Sequence, residues 1–146
     1  RVKPGIKKTE MVQNLDFAQT FLEAATITPP GDMQGESLLP LLLGQDKEWT
    51  RDAVYYHYYE YPSVHMVKRH YGIVTEAYKL AHFYYDVDEW ELYDRLKDPQ
   101  EMNNVYDDPA YEKIVAELKT ELTELRLLYK DSRELDLYYI NKYVDK

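Results

Sequence analysis

Cysteine is absent from this chain. Its absence removes disulfides, thiolate metal sites, thiol nucleophiles and any cysteine-anchored cofactor, while leaving the redox compartment open. Long apolar runs are missing too, since no stretch approaches the roughly 18 residues of a bilayer-spanning helix. No membrane span is expected. Basic charge is scarce: 18 Lys and Arg against 27 Asp and Glu give a formal charge of −9. That balance disfavours nucleic acid as a partner, because phosphate neutralisation needs a basic face. Any anion site must be local. The chain opens at Arg1 without Met or an apolar leader, so no secretory signal is read and a processed or truncated piece is expected. There is no P-loop and no G-x-G-x-x-G. None of Ser37, Ser63 and Ser132 lies in a G-x-S-x-G turn, so nothing announces a nucleophile elbow.

What remains is the composition of a folded domain, with 45% hydrophobic and 31% charged residues over 146 positions. The 16 Tyr outnumber 3 Phe and 2 Trp, so most of the aromatic surface can also hydrogen-bond. After a loop-like opening over residues 1–8, the helical spacing of Leu15, Ala18, Phe21, Leu22 and Ala25 predicts a helix, with Asn14 or Asp16 accepting from its first amides. Ile27-Thr28-Pro29-Pro30-Gly31 stops it. Leu38 to Leu43 reads as a buried helical turn ended by Gly44. From Arg51 the pattern changes to short runs rich in Val and Tyr, which predicts four antiparallel strands near Ala53–Glu60, Val67–Thr75, Tyr78–Tyr85 and Glu89–Asp94. Glu76-Ala77 and Asp86 to Asp88 are the tight turns. Asp108-Pro109 starts a long helix whose stripe of Tyr111, Val115, Leu118, Leu122, Leu125 and Tyr129 suits one face of the sheet. The tail from Asp131 is weakly amphipathic. The fold class is α+β.

Histidine gives little support for a metal. His57, His65, His70 and His82 include no pair at the i, i+4 spacing of a helical zinc site. His57 and His82, inside strands, read as half-buried, hydrogen-bonded sheet residues. The densest constellation is Tyr58-Tyr59-Glu60-Tyr61-Pro62, then His65, then Lys68-Arg69-His70-Tyr71. It gathers aromatic faces, a carboxylate and several donors around one loop, the equipment to stack on a sugar ring and hold its hydroxyls or anionic groups. The same residues also fit tyrosines tiling a sheet face, with Lys68 and Arg69 solvated. Spacing alone leaves both readings open.

Several motifs in order resemble a known family. Leu15-Asp16-Phe17-Ala18-Gln19-Thr20-Phe21-Leu22 and Asp32-Met33-Gln34-Gly35-Glu36-Ser37-Leu38-Leu39-Pro40-Leu41-Leu42 resemble the end of the large catalytic domain of type I, formylglycine-dependent sulfatases. Arg51-Asp52-Ala53-Val54-Tyr55-Tyr56, Arg69-His70-Tyr71-Gly72-Ile73 and Tyr78-Lys79-Leu80 follow. Trp90-Glu91-Leu92-Tyr93-Asp94-Arg95-Leu96-Lys97-Asp98-Pro99-Gln100-Glu101-Met102-Asn103-Asn104 is similar to the family's ELYD…DPxExxN ending. The likeness runs from about Val12 to Tyr129. Its Tyr59 to Gly72 block looks most like bacterial sulfatases of sulfated glycans, including N-acetylglucosamine-6-sulfatases. Gln19, where the family commonly has Pro, and Val74, where Arg often stands, depart from the pattern.

The resemblance implies an alkaline phosphatase-like sulfuric ester hydrolase in which residues 1–46 end the catalytic α/β domain. Residues 47–146 would then form the C-terminal sheet and helix subdomain. The chain contains no C-x-P-x-R or S-x-P-x-R, so formylglycine and calcium are expected in the N-terminal catalytic domain, with no cofactor or catalytic residue in this chain. The substrate-positioning residues expected here are His65 first, then Arg69, Lys68 and Glu60. Expected partners are a sulfated glycan and the N-terminal catalytic domain, with self-association of the fragment when that domain is missing. A periplasmic or extracellular setting follows from the resemblance alone. The alternative is a free-standing carbohydrate-binding or protein-interaction module, with a cleaner start than the apolar face of Leu15, Phe21 and Leu22.

Overall fold

The computed structural model describes residues 2–45 and 49–144. It divides into two compact units, Arg1–Val54 and Tyr55–Lys146. The domain boundary expected between residues 46 and 47 lies outside the described residues.

The first unit holds α1 (Asp16–Ala24) and α2 (Leu39–Leu43). Asp16 organises it. Its fully buried carboxylate accepts from the Gln13 amide at 2.6 Å and the Glu36 amide at 2.9 Å. The Arg51 guanidinium donates to the same group at 2.5 and 2.8 Å. The carboxylate therefore ties three chain segments together instead of capping the first amides of α1, as its position in the sequence suggests. Burial alone would raise the Asp16 pKa, and the Arg51 and backbone hydrogen bonds outweigh it and lower it. Thr20 extends the tie by accepting from the Leu38 amide at 2.8 Å. Gly35 permits the packing, because a Cβ there would lie 2.4 Å from the Leu15 carbonyl oxygen. Gly44 ends α2 with φ 80°, a conformation that glycine adopts at little steric cost.

An antiparallel meander, ordered β1-β2-β3-β4, forms the sheet. Its strands are β1 (Ala53–Tyr58), β2 (His70–Thr75), β3 (Tyr78–Phe83) and β4 (Glu89–Asp94). The Glu76-Ala77 hairpin is as tight as expected, and Thr75 Oγ1 accepts from the Tyr78 amide at 3.0 Å. β3 stops two residues short of its expected end because Tyr85 turns to φ 68° and the Asp86 amide bonds the Tyr84 carbonyl. Pairing of Tyr71 with His82 and of Ile73 with Leu80 sets the register. On one face, Ile73, Leu80 and Leu92 are fully buried with Leu118 and Leu122 of α3 (Glu112–Leu128) and Ile140 of α4 (Arg133–Val144). The helix stripe read from the sequence supplies these contacts. A 3-10 turn at Pro109–Tyr111, capped by Asp108 accepting from the Ala110 amide at 2.9 Å, precedes α3. The weakly amphipathic tail is a helix.

The Trp90 to Asn104 motif does structural work. Asn104 Oδ1 accepts from the amides of Leu92 at 2.9 Å and Tyr106 at 3.0 Å, while its amide nitrogen donates to the Trp90 carbonyl at 3.2 Å. This closes the free edge of β4, which would otherwise offer unpaired backbone groups. Asp94 accepts from the Lys97 amide at 3.0 Å and from Tyr111 Oη at 2.9 Å. Asp98 takes the Met102 and Asn103 amides at 2.7 and 2.8 Å.

Candidate functional site

In an antiparallel meander the β1–β2 loop and the β3–β4 turn emerge at the same end of the sheet. The first carries the residues singled out from the sequence. His65 sits at the loop tip, exposed and without a hydrogen bond to any described residue. Lys68 Nζ donates to Tyr61 Oη at 2.6 Å and stands 4.0 Å from the centre of that ring. Glu60 is exposed and accepts from Tyr143 Oη at 3.4 Å.

Arg69 is different. Its side chain is fully buried, neither solvated nor presented at the surface. Nη1 donates to both Asp86 carboxylate oxygens, at 2.9 and 3.0 Å, and Nη2 donates to the Tyr61 carbonyl. A single buried cation thus fastens the base of the His65 loop to the β3–β4 turn. A buried charge is tolerated only with such pairing. The structure therefore places His65, Lys68 and Glu60 on one accessible loop, with Arg69 beneath it.

Beneath the helical face lies a second polar cluster, which sequence reasoning missed. His57 Nδ1 lies 2.7 Å from Asp131 Oδ2, and its Nε2 lies 2.7 Å from Tyr84 Oη. Tyr55 Oη also donates to Asp131. Arg126 bridges the two carboxylates, with Nε 3.3 Å from Asp131 and Nη2 2.9 Å from Asp136. Burial alone would raise the Asp131 pKa, but hydrogen bonds from His57 and Tyr55 and the charge of Arg126 hold it at about 2. Burial pushes Asp136 up, against the hydrogen bond from Arg126. Ligand atoms of His57, Asp131 and Asp136 lie within 4.8 Å of one another. The group does not fit calcium or another metal ion, because the Arg126 guanidinium already supplies the cation between its carboxylates and calcium prefers a shell of oxygens. Asp131 and Asp136 come from the tail, whose buried stripe begins with charge. That is why apolar periodicity underrated it.

The model of the family described as N-sulphoglucosamine sulphohydrolase, C-terminal, matches residues 1–128. The chain is 49% identical over 134 residues to an N-acetylglucosamine-6-O-sulfatase of Bacteroides thetaiotaomicron, covering 90% of this chain and 24% of the relative. It is 32% identical over 140 residues to a Delta 4,5-hexuronate-2-O-sulfatase of the same organism, covering 88% of this chain and 28% of the relative. A solved structure, described as a complex with its substrate D-glucosamine-2-N,6-O-disulfate, superposes with a TM-score of 0.76 at 51% identity, covering 81% of this chain and 24% of that one. The chain thus spans about a quarter of the length of the relatives it matches. It belongs to the N-sulphoglucosamine sulphohydrolase C-terminal family of sulfatases.

Proposed function

We propose that this chain is the C-terminal portion of a sulfatase that hydrolyses sulfate esters of sulfated glycans, and that it positions substrate without holding the catalytic centre. The observation that carries this reading is the 49% identity with an N-acetylglucosamine-6-O-sulfatase across 90% of the chain. Residues 1–46 then complete the catalytic domain, and residues 47–146 are the subdomain that offers its loop end to the substrate. Formylglycine, with calcium and basic groups that stabilise the sulfate oxygens, belongs to the portion outside this chain. The glycan contacts fall to His65, with Lys68 and Glu60 beside it. Arg69, buried under the loop, acts by holding the loop in place.

The expected outcome in the intact enzyme is that His65→Ala lowers kcat/KM for a sulfated saccharide about tenfold or more while a small aryl sulfate loses little. A contact to the sugar stabilises only substrates that have one, and a polar hydrogen bond to a charged group contributes about 1.5–3 kcal/mol. Equal losses on both substrates would place His65 at the sulfate or in the fold. The isolated chain, incubated with an aryl sulfate and calcium, should release no phenol above background.

A further inference from the structure

A cavity of about 480 Å³ opens between the β3–β4 turn and α4, within the second unit. Its volume lies within the range of small-ligand sites, roughly 300–1,000 Å³. Tyr71 and Tyr84 form part of its wall, and Tyr85, Asp88, Arg133 and Leu137 line it from the turn and the helix. We propose that it is a second saccharide subsite, binding an anionic sugar unit of the glycan through Tyr85, Asp88 and Arg133. This inference rests on the sulfatase reading, which supplies the ligand class.

Three features of the lining match the three chemistries of a sulfated sugar. Tyr85 offers an aromatic face for the apolar C–H side of a pyranose, and the residue is 61% exposed. Its backbone has φ 68°, the turn that ends β3. The turn that holds it there is fixed from below by the buried Arg69–Asp86 pair at 2.9 Å. Asp88 accepts from His82 Nε2 at 2.9 Å through one oxygen, and its side chain is otherwise largely exposed. Its second oxygen can accept from a sugar hydroxyl. Arg133 is exposed at the start of α4, and among the described residues no carboxylate forms an ion pair with it; Glu134 beside it feels its charge. The other cavity cation, Arg126, is already engaged by Asp131 and Asp136. Arg133 is therefore the guanidinium available for a sulfate, which suits its forked donors. Leu137 adds an exposed apolar wall.

The test is calorimetric titration of the intact enzyme, made without its formylglycine for the binding measurements so that no sulfate is released, with a glucosamine-containing sulfated tetrasaccharide and with the same oligosaccharide after chemical desulfation. Arg133→Gln should weaken binding of the sulfated form about fivefold to tenfold and leave the desulfated form unchanged. Tyr85→Gly should weaken both forms by a similar factor, and Tyr85→Trp should restore them. Glycine adopts positive φ readily, so Tyr85→Gly should hold or raise the melting temperature, separating loss of binding from loss of fold. Wild-type affinity in both Arg133→Gln and Tyr85→Gly would overturn the proposal, as would equal weakening of the two oligosaccharides by Arg133→Gln. Sulfate release from a monosaccharide sulfate, measured in parallel, tests the sulfatase reading separately, because binding at the cavity is read without turnover.

Discussion

Arg69 shows how one side chain of a family motif can be spent on holding a loop. In the sequence it stands beside Lys68 and reads either as a solvated strand residue or as a substrate-positioning one, yet it is fully buried and joins Asp86 to the Tyr61 carbonyl. Asp131 plays the same part beneath the helices. The pH dependence of its network has a definite sign. Its folded-state pKa of about 2 lies below the ordinary 3.8, so its contribution to stability is present above about pH 4 and is lost as pH falls through 2. The shift corresponds to about 2 kcal/mol. Asp136, whose pKa is raised, opposes it, so the net acid loss should be smaller than that. Urea unfolding followed between pH 5 and 2 should show this fall, and Asp131→Asn should flatten it. An unchanged acid limb in that variant would assign the loss to other carboxylates. Asp131→Asn should also lower stability at neutral pH by about 3 kcal/mol, because Arg126 and His57 lose a buried partner.

At the level of elements, β-forming composition and turn chemistry made the sheet readable, because all four strands carry aromatic residues, joined in β1 and β2 by Val54, Ile73, Val74 and Thr75, between recognisable turns. The helix stripe was readable from its period: Leu118 and Leu122 sit where that period puts them, against Ile73, Leu80 and Leu92. What escaped were features set by tertiary contact. The strand ends near Tyr58 and Phe83 depend on Arg69 and on the Tyr85 turn, and the buried stripe of α4 includes Asp136 beside Ile140. Of the candidate site, the loop was legible as a cluster of aromatic and polar residues, but the exposure of His65 and the burial of Arg69 were not. Gly72 illustrates the same limit. It lies in β2 without an unusual φ, and an added Cβ would fall 2.5 Å from both the Leu80 carbonyl oxygen and Tyr56 Oη. Gly72→Ala should therefore cost about 1–3 kcal/mol. Tyr56→Phe in the same molecule should not restore it, because the Leu80 backbone still stands in the way. Full recovery by that second change would locate the clash on the hydroxyl alone.

For the whole molecule, the question is what its exposed apolar surface meets. On α1 and just beyond it, Leu15, Phe17, Phe21 and Ile27 are exposed, and Phe21 reaches 69%. Phe17 and Phe21 stack on each other at 6.5 Å, forming a contiguous patch of a kind that usually finds a partner. In the sulfatase reading that partner is the catalytic portion that the relatives carry in the other three-quarters of their length. The chain alone should then either self-associate through α1 or lose protection there while the sheet and α3 stay folded. Its charge of −9 opposes association at low salt, so raising ionic strength should increase the scattering mass if the patch drives it. Phe17→Glu with Phe21→Glu should abolish that increase and leave hydrogen exchange in β2 and β3 unchanged. A monomer at every salt concentration, with α1 amides as protected as those of the sheet, would show that this face needs no cover and would favour the free-standing module.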